Sequence, residues 1–299
     1  MLNEWAYRLL SLDWPWRLAV DASIILSGGA LAAVFHRGRA VIGGEGLFAL
    51  SAIVALVLRC SDGLEILTVQ AIRGDWLWAV FLAEASILLA SGYALVTFGH
   101  ARSRDVFGHG KAGILAVLPL ANLWLMGARR RAPGLTGAVD PGRPGGAILR
   151  GPAGAVIGFV MLVVFLPVAT ESISRSIAER FAAAGGDAEF QAKVLNLRVR
   201  AQGVSGVLTN FAGQFVSRQE LGDGWYLNSV TAEGDVLRYS YEVAGLVPGQ
   251  IDGDALKADI CAAPNLAGLL AFGATIVFNY TSDGVTVGEF RVQAIDCRV

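Results

Sequence analysis

Apolar runs dominate the first 170 positions of this chain, and shorter alternating patterns follow them. A helix needs about 20 apolar residues to cross the hydrocarbon of a bilayer. The first run, RLAVDASIILSGGALAAVF from Arg17 to Phe35, is just long enough. The second, GLFALSAIVALVL from Gly46 to Leu58, spans only if it starts near Val41 and carries Glu45 at one end. The third, Trp76 to Phe98, is the clearest, with Trp76, Trp78 and Phe98 where interfacial aromatics sit. The fourth, Ala112 to Ala128, is short and holds Pro119 and Asn122 at its centre, so it either crosses or re-enters; the reading favoured here is that it does not cross. The fifth, Ala153 to Ala169, is continuous, ends at Pro167 and is expected to cross. The opening MLNEWAYRLLSLDWPW lacks the layout of a cleavable signal, so the first span is expected to stay in the protein.

After Thr170 the pattern changes. Ile173, Ile177, Phe181, Val194 and Leu197 are spaced as on amphipathic helices, interrupted at Gly185 and Gly186. From Phe215 the period becomes two: WYLNSVTA and VLRYSYEV flank EGD, a hairpin with Leu237, Tyr239, Tyr241 and Val243 on its buried face. DGDALKADICAAPNLAGLLAFG predicts two short helices, with Asp252 as N-cap, Pro264 opening the second and Gly273 ending it. The last unit turns at Asp283-Gly284 between strands carrying Ile276, Phe278, Tyr280, Phe290 and Val292 inward. The expected fold is an α-helical membrane bundle of four or five apolar segments over residues 1–169. A small two-layer α+β domain over 170–299 follows it, ordered helix, β-hairpin, helices, β-hairpin.

Composition agrees with the membrane class, since 54% of the 299 residues are hydrophobic and 16% charged. The formal net charge of −1 gives no reason to expect nucleic acid. What matters is where the charges lie. With a non-crossing fourth run, Arg102, Arg104, Lys111, Arg129, Arg130, Arg131, Arg143 and Arg150 share one side with Arg37 and Arg39. That side is cytoplasmic by the positive-inside rule, and the chain after Ala169 lies outside. If the fourth run crosses, the bias weakens without reversing. The stretch 129–152, rich in Gly, Pro and Arg, reads as a cytoplasmic linker. The basic residues Arg102, Arg104, Lys111 and Arg129 to Arg131 are expected at lipid headgroups.

Candidate chemistry is sparse. All three histidines, His36, His100 and His109, precede the soluble half, so His-based triads and the usual zinc sites are not expected there. His100 and His109 with Asp105 could hold a metal or phosphate group, but basic residues at lipid are the simpler reading. No cofactor or metal is expected. Glu84 sits well inside the third run, where an ionised carboxylate is expensive. It belongs either to a proton or ion path with Asp21 and Glu45, or to a pair that locks helices together. Cys261 on a covering helix and Cys297 after the last strand would, if bridged, tie helix to sheet; isolated thiols or a redox pair are the alternatives. Neither a Cys-x-x-Cys motif nor a neighbouring His favours the redox pair. Cys60 is left over.

The stretch ICAAPNLAGLLAFGATIVFNYTSDGVTVGEFRVQAIDC, preceded by LNSVTAEGDVLRYSYEV, resembles the C-terminal domain of a widespread group of uncharacterised Gram-negative envelope proteins. In that group a Cys before a Pro-containing helix, an aromatic-rich strand, a D-x-x-G or D-G turn and a terminal Asp-Cys recur. The resemblance implies a periplasmic-type domain with a Cys261 to Cys297 bridge and brings no catalytic residues. Upstream, RSRDVFGHGKAGILAVLPLANLWLM is similar to the basic motif and Pro-broken run of small bacterial inner-membrane proteins. The expected function is a multi-pass inner-membrane protein presenting a periplasmic interaction or assembly module, not an enzyme. Its partners are the lipid bilayer and another protein. The face with Arg238, Glu242, Glu289 and Arg291 is the expected contact. A proton- or ion-coupled transport component is the alternative.

Overall fold

Glycines decide how closely the apolar helices can approach. In a computed structural model, which describes residues 1–36, 41–129, 151–215 and 218–297, Gly28 of helix α2 (Trp14–Phe35) abuts the Leu89 carbonyl. Reciprocally, Gly92 of α5 (Leu77–Phe107) abuts the Ile25 carbonyl. A side chain at either glycine would collide with backbone, so these two helices form the tightest seam of the bundle. Among the described residues, four segments are long and apolar enough to cross a membrane: Trp14–Phe35, Gly44–Arg73, Leu77–Phe107 and Pro152–Gly185. The second comprises α3 (Gly44–Ser61), a 3₁₀ turn (Asp62–Leu67) and α4 (Thr68–Arg73).

The fourth apolar run of the sequence is not one of these helices. It leaves α5 at Gly108, in the left-handed conformation at φ 76, and doubles back as a 3₁₀ stretch (Lys111–Val117) with Gly113 packed on Gly99 and His100. Val117 reaches Gly29 of α2 beside Val96. There Pro119 starts α6 (Pro119–Gly127), which returns until its last carbonyls meet Arg102. Gly110 lies against Arg104, so both ends of the run meet the same turn of α5. The tip at Val96 lies about 10 Å further along that helix at 1.5 Å per residue. The run therefore enters and leaves on one side.

Pro167 does not end the last membrane helix. Its missing N–H and ring are accommodated by a π turn (Met161–Phe165) between α7 (Pro152–Val160) and α8 (Leu166–Gly185), and the helix continues. The expected domain boundary at 169/170 thus falls inside a helix. By contacts the chain divides into Leu9–Ala182 and a second unit made of Met1–Arg8 with Ala183–Val299. The linker residues 130–150, and Arg130, Arg131, Arg143 and Arg150 with them, lie outside the described residues, as do Arg37 and Arg39.

The second unit is helical at first. Helix α9 (Ala188–Gly213) starts at Asp187, whose carboxylate accepts the backbone N–H groups of Glu189 and Phe190, and kinks at Gly203 (φ 76). Helix α1 (Leu2–Leu10) packs on it: Arg198 Nε donates to the Tyr7 hydroxyl at 2.8 Å, and Arg200 lies 3.8 Å from Glu4. A single sheet follows, in the order β1-β2-β3-β4-β5. The expected hairpins are present, β2 (Trp225–Glu233) with β3 (Val236–Val243) and β4 (Thr275–Ser282) with β5 (Val285–Val292). Two features go beyond the expected hairpins. A short exposed strand, β1 (Gln219–Gly222), precedes them, and β3 pairs β4 in parallel. The parallel pairing needs a crossover, supplied by α10 (Gly253–Ala262) and α11 (Pro264–Ala271). One face of the sheet buries Val243, Ile276, Phe278, Tyr280 and Val292 with Ile260 and Leu270 of those helices; Leu237 and Leu269 pack with Leu208 of α9.

Candidate functional site

The bridge is formed. Cys261 on α10 and Cys297, in the 3₁₀ turn Ala294–Cys297, are joined with Cα atoms 5.3 Å apart. One turn earlier on α10, Lys257 lies 3.2 Å from Asp296, so helix and terminal turn are held by a covalent and an ionic clamp side by side. The backbone N–H of Gln293, and then Lys257, hold the Asp296 carboxyl below the usual carboxylate range. Beneath α10 lies an aromatic stack, with Tyr239 over Phe278 at 5.3 Å and Tyr241 over Tyr280 at 5.3 Å. Burial pushes the Tyr239 and Tyr280 hydroxyls up to about 12, each with a smaller push from Tyr241. These groups are core rather than acid–base catalysts.

The opposite face of the sheet is polar, because side chains alternate along each strand. Arg238 pairs with Glu289 at 3.3 Å, and Glu242 with Arg218 at 3.1 Å and Asn228 Nδ2 at 3.2 Å. Arg218 also lies 4.1 Å from the centre of the Tyr226 ring. Arg291 stands opposite Val277, which is fully buried between its cross-strand neighbours Arg238 and Arg291. Arg238, Glu242, Glu289 and Arg291 therefore share one face. The structure adds Arg218 and Asn228, which no periodicity in the sequence marks. The side-chain oxygens of Asn228 and Asn279 on this face are buried and accept no hydrogen bond among the described residues.

In the membrane unit, Glu84 is ion-paired with Arg17, which also lies 3.4 Å from Asp21. Both partners of the Arg17–Glu84 pair are largely buried, with side chains 18% and 11% exposed. Glu45 is not part of this group. It lines a cavity of about 840 Å³ with Gly43, Gly44, Phe48, Arg102 and Met126. Arg102 is 18 residues from Glu84 on one helix, about 27 Å at 1.5 Å per residue. The three carboxylates singled out in the sequence thus fall at two ends of the bundle. Arg17 was missed as a partner because it sits at the start of an apolar run. The signal available was its i,i+4 spacing to Asp21.

Arg102 is also not where expected. Instead of facing lipid headgroups it is buried, 3% exposed, donating from Nε to Leu125 O at 3.0 Å, from Nη2 to Met126 O at 3.3 Å, and pairing with Asp105. It satisfies carbonyls left open at the C-terminus of α6. Lys111 and Arg129 are exposed, and Arg104 is half-buried against Gly110. His100 is buried, 6.3 Å from the His36 ring, whereas His109 is exposed and stacks on Phe107. Asp105 is taken by Arg102, so these three do not converge, and no cluster of metal-ligating side chains occurs among the described residues. Cys60 is a free, exposed thiol.

The four long apolar helices among the described residues mark a membrane protein, and its second unit is an α+β fold closed by a disulfide. No family model and no curated protein matches the sequence. The chain is similar to a crystal structure from Pseudomonas aeruginosa described as a candidate secreted protein, at 19% identity over 32% of this chain and 93% of that one, with a TM-score of 0.27.

Proposed function

We propose that this is a bacterial inner-membrane protein that holds a periplasmic interaction or assembly module at the membrane. The observation that carries the reading is the bridged domain itself: one sheet face is sealed by helices, while the other, polar face and the β5 edge are left uncovered by the described residues. A disulfide of this kind persists in an oxidising compartment, which supports placing the domain outside the cytoplasm. Two further observations agree. If each of the four long apolar helices among the described residues crosses and the re-entrant run does not, the number of crossings is even and both chain ends share one side. Independently, α1 belongs to the same unit as the C-terminal domain. The opposite side then carries Lys111 and Arg129 with Arg37, Arg39 and the arginines of the linker, as the positive-inside rule requires.

The test is cross-linking and mass spectrometry in native membranes, comparing the full chain with one ending at Ala182. Loss of specific cross-linked partners on truncation is the expected result; a partner set that stays whole sinks the reading. A second reading, a proton- or ion-coupled transport component, draws on Glu84 within a membrane helix. Its ion pair joins this helix to Arg17 of α2, and a carboxylate committed to a partner on a neighbouring helix fits a helix lock better than an ion path.

A further inference from the structure

Of the two sheet edges, β1 is four residues long and shifts register against β2, a blunted edge. The edge at β5 is different. Its pairing with β4 slips once, where Tyr280 faces Gly288 but Thr281 faces Thr286, leaving Val287 bulged. Beyond the bulge the ladder is regular from Gly288 to Val292, five residues centred on Phe290. By alternation Glu289 and Arg291 both lie on the open face, one on each side of that centre, and the Glu289 side chain is 52% exposed.

We propose that two copies of this chain join through this edge, antiparallel, with the two-fold axis at Phe290, so that the occupant of the β5 edge is β5 of a second copy. The inference rests on the interaction-module reading and names its partner. The register follows from charge. Centred on Phe290, Glu289 of each copy faces Arg291 of the other, giving opposite charges in both cross-strand pairs, and Arg238 beside Glu289 extends the alternation. Shifting the centre to residue 289 sets Glu289 against Glu289, and shifting it to 291 sets Arg291 against Arg291. Only the Phe290-centred register satisfies both charges and uses the whole regular segment. An isologous contact of this kind closes at two copies and removes the unpaired edge.

The test is a charge swap in the full-length protein, counted by single-molecule photobleaching in native membranes and by light scattering in detergent. The unsubstituted chain is expected to be dimeric. Glu289→Arg alone and Arg291→Glu alone each set like charges face to face in both pairs and should weaken the dimer about tenfold or more. The double swap should restore it. Arg291→Glu also serves as a folding control, since its Cys261–Cys297 bond should form as in the unsubstituted chain. Independently, Glu289→Cys with Arg291→Cys in a Cys60→Ser background should form intermolecular disulfides. A monomeric unsubstituted chain, or single swaps that leave the dimer intact, overturns the proposal. The module reading fails separately, only if truncation at Ala182 leaves every cross-linked partner in place.

Discussion

Removing the Cys261–Cys297 bridge by Cys261→Ser with Cys297→Ser should destabilise the extramembrane unit far more than it alters the bundle. The bridged residues are separated by 36 positions. The chain-entropy relation for a loop of that size gives about 13 cal/mol/K, or about 3.8 kcal/mol at 25 °C. A domain of this size has a urea m-value of about 1.5 kcal/mol/M, so the midpoint should fall by about 2–3 M. Pulse proteolysis of the full chain in liposomes across a urea series reads this out, because the spans stay embedded while the domain becomes cleavable. Reductant should move the unsubstituted protein to the same midpoint. In the unreduced protein only Cys60 should take up an alkylating reagent. A midpoint shift below about 0.5 M, or labelling of Cys261 and Cys297 without reductant, would refute the reasoning.

Two other outcomes follow from buried groups. Glu84→Gln removes the ion-pair partner of the largely buried Arg17 and should lower bundle stability by about 3 kcal/mol, whereas Arg17→Met with Glu84→Leu should recover most of the loss; thermal aggregation in detergent measures both. A Glu84→Gln chain as stable as the parent but with flux or growth abolished would instead favour the transport reading. The buried Tyr239 and Tyr280 hydroxyls titrate near 12, above the ordinary value near 10, so the unfolded chain loses their protons first as pH rises. Their contribution to stability is therefore complete below pH ~10 and lost between ~10 and ~12. Phenolate absorbance arriving in full near pH 10 in the folded protein would contradict this packing.

What could be read from the sequence is what local chemistry dictates. Asp252 caps α10 through the backbone N–H groups of Asp254 and Ala255, and Asp283-Gly284 adopt the positive φ of a tight hairpin turn, both as their residue types require. Alternation in β2 to β5 marked the strands and their buried faces. It could not give the order in which strands pair, since a strand's period is the same whether its neighbour is parallel or antiparallel. The β1 segment QELG has no apolar alternation at all and is fully exposed, so it left no signal. Pro167 signals a helix end, but a π turn lets the helix pass through it. For the charged residues, type and depth were legible while partners were not. Glu84 needed a cation and Arg102 needed acceptors, yet only folding brings Arg17 to the one and the α6 carbonyls to the other. The docking of α1 on α9 is similarly non-local, through Tyr7 to Arg198.

The central claim, that four crossings place both chain ends on the oxidising side and the arginine-rich linker on the other, is tested most directly by cysteine accessibility in intact cells. In a Cys60→Ser background, single cysteines are placed at Arg8 in α1, Thr136 in the linker and Val285 at the exposed start of β5. A membrane-impermeant maleimide should label Arg8→Cys and Val285→Cys in intact cells, and Thr136→Cys only after the membrane is opened. Labelling of Thr136→Cys from outside, or of Arg8→Cys and Val285→Cys from opposite sides, would contradict the account.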